Sequence, residues 1–227
     1  MAEPFDFAQK IALVAGGTGG IGAPIAAELR ARGCIVTTVS RSPISDTAHI
    51  SADLRSPDAI SAVMNSIVER HGGVDIVVNA MGVVAFGTVD ATSIDTIEEL
   101  FLTNTFAHIF LMKEALKCAR QGSVLVGISG VIAEQNLPGL ATYGASKVAV
   151  RSFNEALTRE ARRSGIRVID ARPPHTETGL SSRAIAGDPP KFPVGLDPTK
   201  VAQRIVRAIA DGETDLPSTA FADLSGD

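Results

Sequence analysis

The sequence predicts an α/β fold: a single domain built on one doubly wound parallel β-sheet flanked by helices. Three observations carry this. Short β-branched runs alternate with amphipathic helical stretches along the chain, which implies right-handed βαβ units. Several of the runs are apolar on both faces, as strands covered on both sides are. A glycine-rich turn joins the first strand to the first helix. The length of 227 residues agrees, since it suits one domain over residues 1–227 with a sizeable buried core.

Taken in order, the expected strands are Ile11–Ala15, Ile35–Ser40, His49–Ala52, Val74–Asn79, Ser123–Ile128 and Arg167–Ala171, with a weak last one near Leu216–Phe221. Helices between them have legible ends. Ser56-Pro57 and Asp197-Pro198 each place a capping side chain before a proline of the first turn, and Gly72 and Gly212 close the same helices. Long helices are expected at about Ile94–Ala119 and Tyr143–Ser164. No repeat, linker or low-complexity run interrupts the pattern.

Composition excludes several classes. A formal net charge of -4 without a basic patch argues against nucleic acid as a partner. No apolar run reaches membrane-spanning length, and "MAEPFDFAQK" has no apolar signal core, so a cytoplasmic protein without membrane contact is expected. Cys34 and Cys118 have no CxxC or histidine neighbours, so they read as reduced core residues and no metal site is expected.

The first strand runs into "LVAGGTGGIGAPIAAELRARG", Leu13 to Gly33. Gly16, Gly20 and Gly22 form a GxxxGxG turn, with Thr18, Gly19 and Ile21 between them. Glycine allows positive φ and lets backbone approach a pyrophosphate, while the helix N-terminus offers N–H groups and partial positive charge. A turn packed only for compactness would use the same glycines. The end of the second strand bears on which dinucleotide is bound. A carboxylate there would accept from an NAD ribose hydroxyl, but the chain has Ser40-Arg41. Serine and a guanidinium suit a 2′-phosphate, so NADP(H) is expected over NAD(H). A solvated surface arginine would read the same.

Further on lie "ADL" at Ala52–Leu54, "NAMG" at Asn79–Gly82, Asn104 in a long helix, "YGASK" at Tyr143–Lys147 and "RPPHTET" at Arg172–Thr178. In this order, over roughly residues 8–215, the motifs resemble the classical short-chain dehydrogenase/reductase (SDR) superfamily. The resemblance implies a Rossmann-type domain transferring a hydride between nicotinamide and a small carbonyl or alcohol substrate. It also implies a homodimer or homotetramer. By the same resemblance Gly16, Thr18, Gly19, Gly20, Ile21 and Gly22 hold the pyrophosphate, and Ser40 and Arg41 meet the 2′-phosphate. Asp53 and Leu54 contact the adenine. Asn79, Ala80 and Gly82 steady sheet and cofactor, and Pro173, Thr176 and Thr178 lie toward the nicotinamide. Tyr143 becomes the acid/base, Lys147 its tuner and a ribose ligand, and Asn104 an anchor for a water relay. The spacing suits the chemistry: Lys147 lies at i+4 from Tyr143, so its ammonium is expected to lower a phenol whose reference pKa is about 10.

Two departures stand out. The superfamily's serine, 13 positions before the tyrosine, is Gly130 here, with Ser129 just before it. Side chains alternate along a strand, so Ser129 faces the site only if the strand has ended or slipped. Gln135 or Asn136 are the other candidate donors, or the site works without one. With no donor, serine restored at position 130 is expected to raise the rate, provided the backbone accepts it. The second departure is Pro173-Pro174 in place of Pro-Gly, followed by His175. Gly179–Leu196 reads as the substrate loop. Helical small residues Ala145, Ala149, Ser152 and Ala156 suit either a subunit interface or a core. Two readings result: an NADP(H)-dependent carbonyl reductase or alcohol dehydrogenase, and a cofactor-binding or regulatory protein of the same fold with impaired catalysis.

Overall fold

The structure, a computed structural model, describes residues 5–224. Residues 1–4 and 225–227, which include the start of "MAEPFDFAQK" and the ends of the expected domain, lie outside it. Seven parallel strands form one sheet in the order β3-β2-β1-β4-β5-β6-β7. They are β1 Ile11–Ala15, β2 Ile35–Ser40, β3 His49–Ser51, β4 Val74–Asn79, β5 Ala119–Ile128, β6 Arg167–Ala171 and β7 Asp215–Leu216. Strand order reverses between β1 and β4. In a doubly wound sheet that reversal opens a crevice beyond the carboxyl ends of the strands.

Alternation along each strand feeds two cores. Ala12 and Val14 of β1, with Val124 and Val126 of β5, face helices α1 (Gly22–Ala31) and α6 (Pro198–Asp211), packing on Ile25, Leu29, Val201, Ile205 and Ile209. Leu13, Val77 and Leu125 face the other way, onto α2 (Pro57–His71), α4 (Ala107–Cys118) and α5 (Ala141–Ala161), through Ile60, Met64, Leu111 and Leu157. The caps form as expected. Ser56 Oγ accepts from Ala59 N at 3.4 Å, Asp197 Oδ1 accepts from Thr199 N at 2.6 Å, and Gly72 and Gly212 end their helices at φ of 75° and 79°.

Four boundaries differ from expectation. β3 stops at Ser51, and β5 starts early, at Ala119, with an irregular register opposite Val74. β7 is only two residues long, and Ser218–Leu224 is a 3₁₀ turn; Pro217, without an N–H, cannot extend a ladder. The long helix expected over Ile94–Ala119 is α3 (Ile94–Leu100), a π-helical turn Phe101–Phe106, then α4. Polar contacts lie at the π turn: Asn104 Nδ2 donates to Ser146 Oγ at 2.9 Å, and Thr105 Oγ1 to the Ser146 carbonyl at 2.9 Å, so α5 engages it directly.

Candidate active site

At the carboxyl ends of β1 and β4 the glycine turn is packed to its limit. A Cβ on Gly16, which has φ of +74°, would lie 2.8 Å from the Ala80 carbonyl carbon, and one on Gly20 would lie 2.5 Å from Thr178 Cβ. A Cβ on Gly22 would overlap the Gly16 carbonyl oxygen. The turn is therefore closed against side chains, while Gly16, Thr18, Gly19, Gly20 and Ile21 line a cleft of about 570 Å³. That is a cradle for a flat, phosphate-bearing group at the α1 N-terminus, and it fits a dinucleotide.

The same cleft takes in Ser40, Arg41, Asp53, Leu54, Ala80, Gly82, Tyr143, Lys147, Pro173, Thr176 and Thr178. At its β2 end the Ser40 hydroxyl donates to the Ser42 carbonyl at 2.9 Å and contacts His49 Nε2 at 3.2 Å. Its proton is thus spent within the turn. Arg41 is exposed and makes no ion pair among the described residues. Asp53 is held by Arg55, whose Nη2 lies 2.5 Å from Asp53 Oδ2 and whose Nη1 lies 2.9 Å from Glu99 Oε1. The hydrogen bond from Arg55 keeps the Asp53 carboxyl below its usual range. Gly22 and Asn79 stand behind the cleft. Asn79 is buried, takes the Met81 N–H on Oδ1 at 3.0 Å and turns Nδ2 to His108 Nδ1 at 2.9 Å.

Tyr143 and Lys147 rise one turn apart on α5 and share the cleft wall. Lys147 Nζ donates to the Ile128 carbonyl at 2.9 Å. Gly82 lies close by: a Cβ there would be in ordinary contact with Lys147 Nζ at 3.5 Å and Asn104 Oδ1 at 3.4 Å. Burial pushes the lysine down to about 8, partly opposed by the charge of Asp170. The phenol does not follow the expected direction, because withdrawal from water pushes Tyr143 up to about 12. Asn104, behind the wall, takes the Val83 N–H on Oδ1 at 2.9 Å and donates to the Val83 carbonyl at 3.0 Å, clamping the segment after β4.

Ser129 does not swing into the site. Although β5 ends at Ile128, the Ser129 hydroxyl is held by Asp170, donating to Oδ2 at 2.9 Å with no exposed surface. Gln135 and Asn136 are exposed and lie off the cleft wall. Asp170 belongs to a polar layer the sequence reading missed. Its Oδ1 accepts from Asn154 Nδ2 at 2.8 Å, Asn154 Oδ1 meets His108 Nε2 at 2.7 Å, and Arg172 Nη1 lies 2.5 Å from Asp170 Oδ2 while its Nε reaches Glu134. The available signal was Asp170, a carboxylate between Ile169 and Ala171 in a buried stretch of β6, with Arg172 two positions on, just past the strand.

Gly130 has φ of 78° and ψ of 163°, and a Cβ there would meet nothing within 4 Å. Space is ample, but the backbone is glycine's own. Gly130→Ser should therefore lose about 1–3 kcal/mol of stability, whatever the added hydroxyl does to kcat. Thermal melts followed by steady-state kinetics check this.

A family model described as short chain dehydrogenase matches residues 10–188. Versicolorin reductase of Emericella nidulans is 31% identical over 186 residues, covering 75% of this chain and 70% of its own. Hydroxynaphthalene reductase of Aspergillus fumigatus is 28% identical over 221 residues, covering 89% and 78%. Among solved structures, a short-chain dehydrogenase from Streptomyces avermitilis superposes with a TM-score of 0.83 at 25% identity, covering 96% of this chain and 92% of its own. One from Burkholderia cenocepacia in complex with NADP gives 0.80 at 25% identity, covering 95% and 99%. With the glycine cradle at the sheet's switch point and Tyr143 and Lys147 in the same cleft, this chain belongs to the short-chain dehydrogenase family, whose members are oxidoreductases using a nicotinamide cofactor.

Proposed function

We propose that the protein is an NADP(H)-dependent carbonyl reductase acting on a small, mostly apolar molecule. The observation that carries this is the placement of Tyr143 and Lys147, one turn apart on α5, in the wall of the same cleft that the glycine cradle lines, so that a phenol proton and the cofactor site open on one space. The bound nicotinamide supplies or accepts the hydride. Tyr143 gives its proton to the carbonyl oxygen as that oxygen gains negative charge. Lys147, a cation held at the Ile128 carbonyl, favours the phenolate left behind and offers N–H donors to a ribose. Asn104 keeps the Val83 segment in place beneath the substrate. Val84, Phe86, Ile132 and Leu140 form an apolar cluster at the substrate end, with Phe192 of the loop packed on it. The reading as a protein with impaired catalysis draws on Gly130 alone, and the Tyr143–Lys147 pair weighs against it. A screen of carbonyl compounds with NADPH, followed at the nicotinamide absorbance, tests the reading; no turnover of any carbonyl compound would refute it.

For NADP(H) over NAD(H) the support is the unpaired guanidinium of Arg41 at the cleft's adenosine end, together with the NADP complex of the Burkholderia relative. Ser40 contributes shape rather than a free donor. NADPH should bind about tenfold more tightly than NADH, near 1.4 kcal/mol, and Arg41→Ala should remove that difference. Isothermal titration of both cofactors decides it; equal affinities in the wild type would refute the assignment. A cytoplasmic homodimer or homotetramer completes the proposal. The outer face of α5 supports the assembly: Ala145, Val148, Ala149 and Ser152 line a shallow groove with Leu137 and Pro138. Among the described residues no helix is long and apolar enough to cross a membrane, and no cluster of three or more metal-ligating side chains occurs.

A further inference from the structure

We infer that the substrate is an aromatic ketone carrying its own hydrogen-bond donor beside the carbonyl, as an ortho-hydroxyaryl ketone does, with that donor lying in the space beside Gly130. The inference rests on the carbonyl-reductase reading above.

A carbonyl oxygen being reduced gains negative charge, and a site with one donor where two are needed loses on the order of 10²–10³ in rate. Tyr143 is one donor. The second is missing at every position that could provide it along the β5 side of the cleft. Gly130 has no side chain, and the Ser129 hydroxyl is committed to Asp170 at 2.9 Å. Gly130 N–H donates to the Ala171 carbonyl at 3.2 Å and Val131 N–H to the Pro173 carbonyl at 3.0 Å, so the backbone there is spent as well. Across the cleft the Thr176 hydroxyl donates to the Pro174 carbonyl at 2.8 Å. Thr178 sits against the Gly20 turn, at the cofactor's end of the cleft.

The shape of the site points to the same ligand. The place a serine side chain would take is open for 4 Å around a Cβ on Gly130, and Gly130 and Tyr143 both line the cleft. Beyond it Phe86 and Phe192, with ring centroids 6.1 Å apart, form an aromatic end wall with Val84, Ile132 and Leu140. A flat apolar ring suits that wall, and an ortho substituent suits the gap. A hydroxyl there is fixed to the substrate by covalent bonds, so no entropy is lost in orienting it. Its bond to the oxygen tightens as the oxygen approaches an alkoxide, so it stabilises the transition state more than the ground state. The reaction still balances in the ordinary way: the carbonyl carbon receives the hydride, the oxygen receives the Tyr143 proton, and the ortho hydroxyl keeps its own.

The test compares ortho-hydroxyacetophenone, ortho-methoxyacetophenone and para-hydroxyacetophenone with NADPH and wild-type protein. The methoxy compound fills the gap without a donor, and the para compound has the donor out of reach. The ortho-hydroxy ketone should show kcat at least about tenfold above both. Equal kcat on all three would overturn the inference while leaving the carbonyl-reductase reading intact. No turnover of any of the three would also overturn the inference, whereas the carbonyl-reductase reading falls only if the wider screen of carbonyl compounds finds no turnover. His175→Phe, Ser181→Ala and Arg183→Met, at polar positions of the loop that lines the cleft, supply a second check. A loss of about 10²-fold in kcat on the para ketone in any of these variants would reveal a protein donor and overturn the inference. An unchanged preference among the three ketones supports it.

Discussion

Tyr143→Phe is expected to lower kcat by about 10²–10⁴-fold on any ketone the wild type reduces, with cofactor affinity almost unchanged. The ring keeps its place in the cleft wall, so packing survives and only the proton is lost. Tyr143 is the one tyrosine of the chain, and no second phenol can substitute. Burial holds the phenol near 12, which makes it a proton donor over the whole neutral range. Rapid-quench or steady-state kinetics with titration of NADPH on the same variant separate the two effects. Wild-type turnover in the phenylalanine variant would remove Tyr143 from the chemistry.

Acid should weaken the fold through His108, with the second large effect. The ring is 1% exposed, and burial, the dominant cause, pulls its pKa down to about 4, with Lys147's charge adding and the bond to Asn154 opposing. The unfolded chain takes up this proton near pH 6.5, whereas the native protein refuses it until about pH 4. Between those values the unfolded state binds more protons, so stability falls as pH falls. The loss is about 2 kcal/mol by pH 5 and about 3 kcal/mol by pH 4. Lys147 and Asp170 face the ring electrostatically, and Glu134, depressed by its bonds from Ser218 and Arg172 against the upward push of burial, adds a loss of the same sign lower in the range. Urea unfolding at pH 7 and pH 5 on wild type and His108→Gln isolates the histidine. The variant should be less stable at pH 7 but flatter across the interval. Parallel curves would mean that His108 is not the group responsible.

The sheet was legible because both its signals are local. Leu13 and Val14 face opposite cores, and a strand apolar on both faces announces helices on both sides. The glycine turn and the Tyr143–Lys147 pair were legible for the same reason, since each sits within a few residues of chain. What the sequence hid depends on partners far apart along it. The π turn at Phe101–Phe106 meets Ser146 some forty residues on, and periodicity sees only one long helix. Tyr143 was expected to be tuned downward by Lys147, but spacing cannot show that the lysine's proton goes to the Ile128 carbonyl or that burial governs the phenol. Ser129 was not readable, because it lies past the end of β5 and is held from the site by Asp170, 41 positions on.

Asn79, Gly127 and Asp170 are register neighbours on β4, β5 and β6, so they lie side by side across the sheet at one height. A Cβ on Gly127 would lie 2.7 Å from His108 Cε1 and would crowd the Asn154 amide still more. One missing side chain therefore acts as a keyhole through which α4 and α5 reach the strand. These positions form one packing unit: alanine at 127 should displace Asn154 and His108, and with them Asp170 would lose one of its partners and Asn79 one of its own. A lineage drifting from this chain would have to trade the set together or keep it whole, and grafting any one of these residues into a relative should fail unless the glycine travels with it.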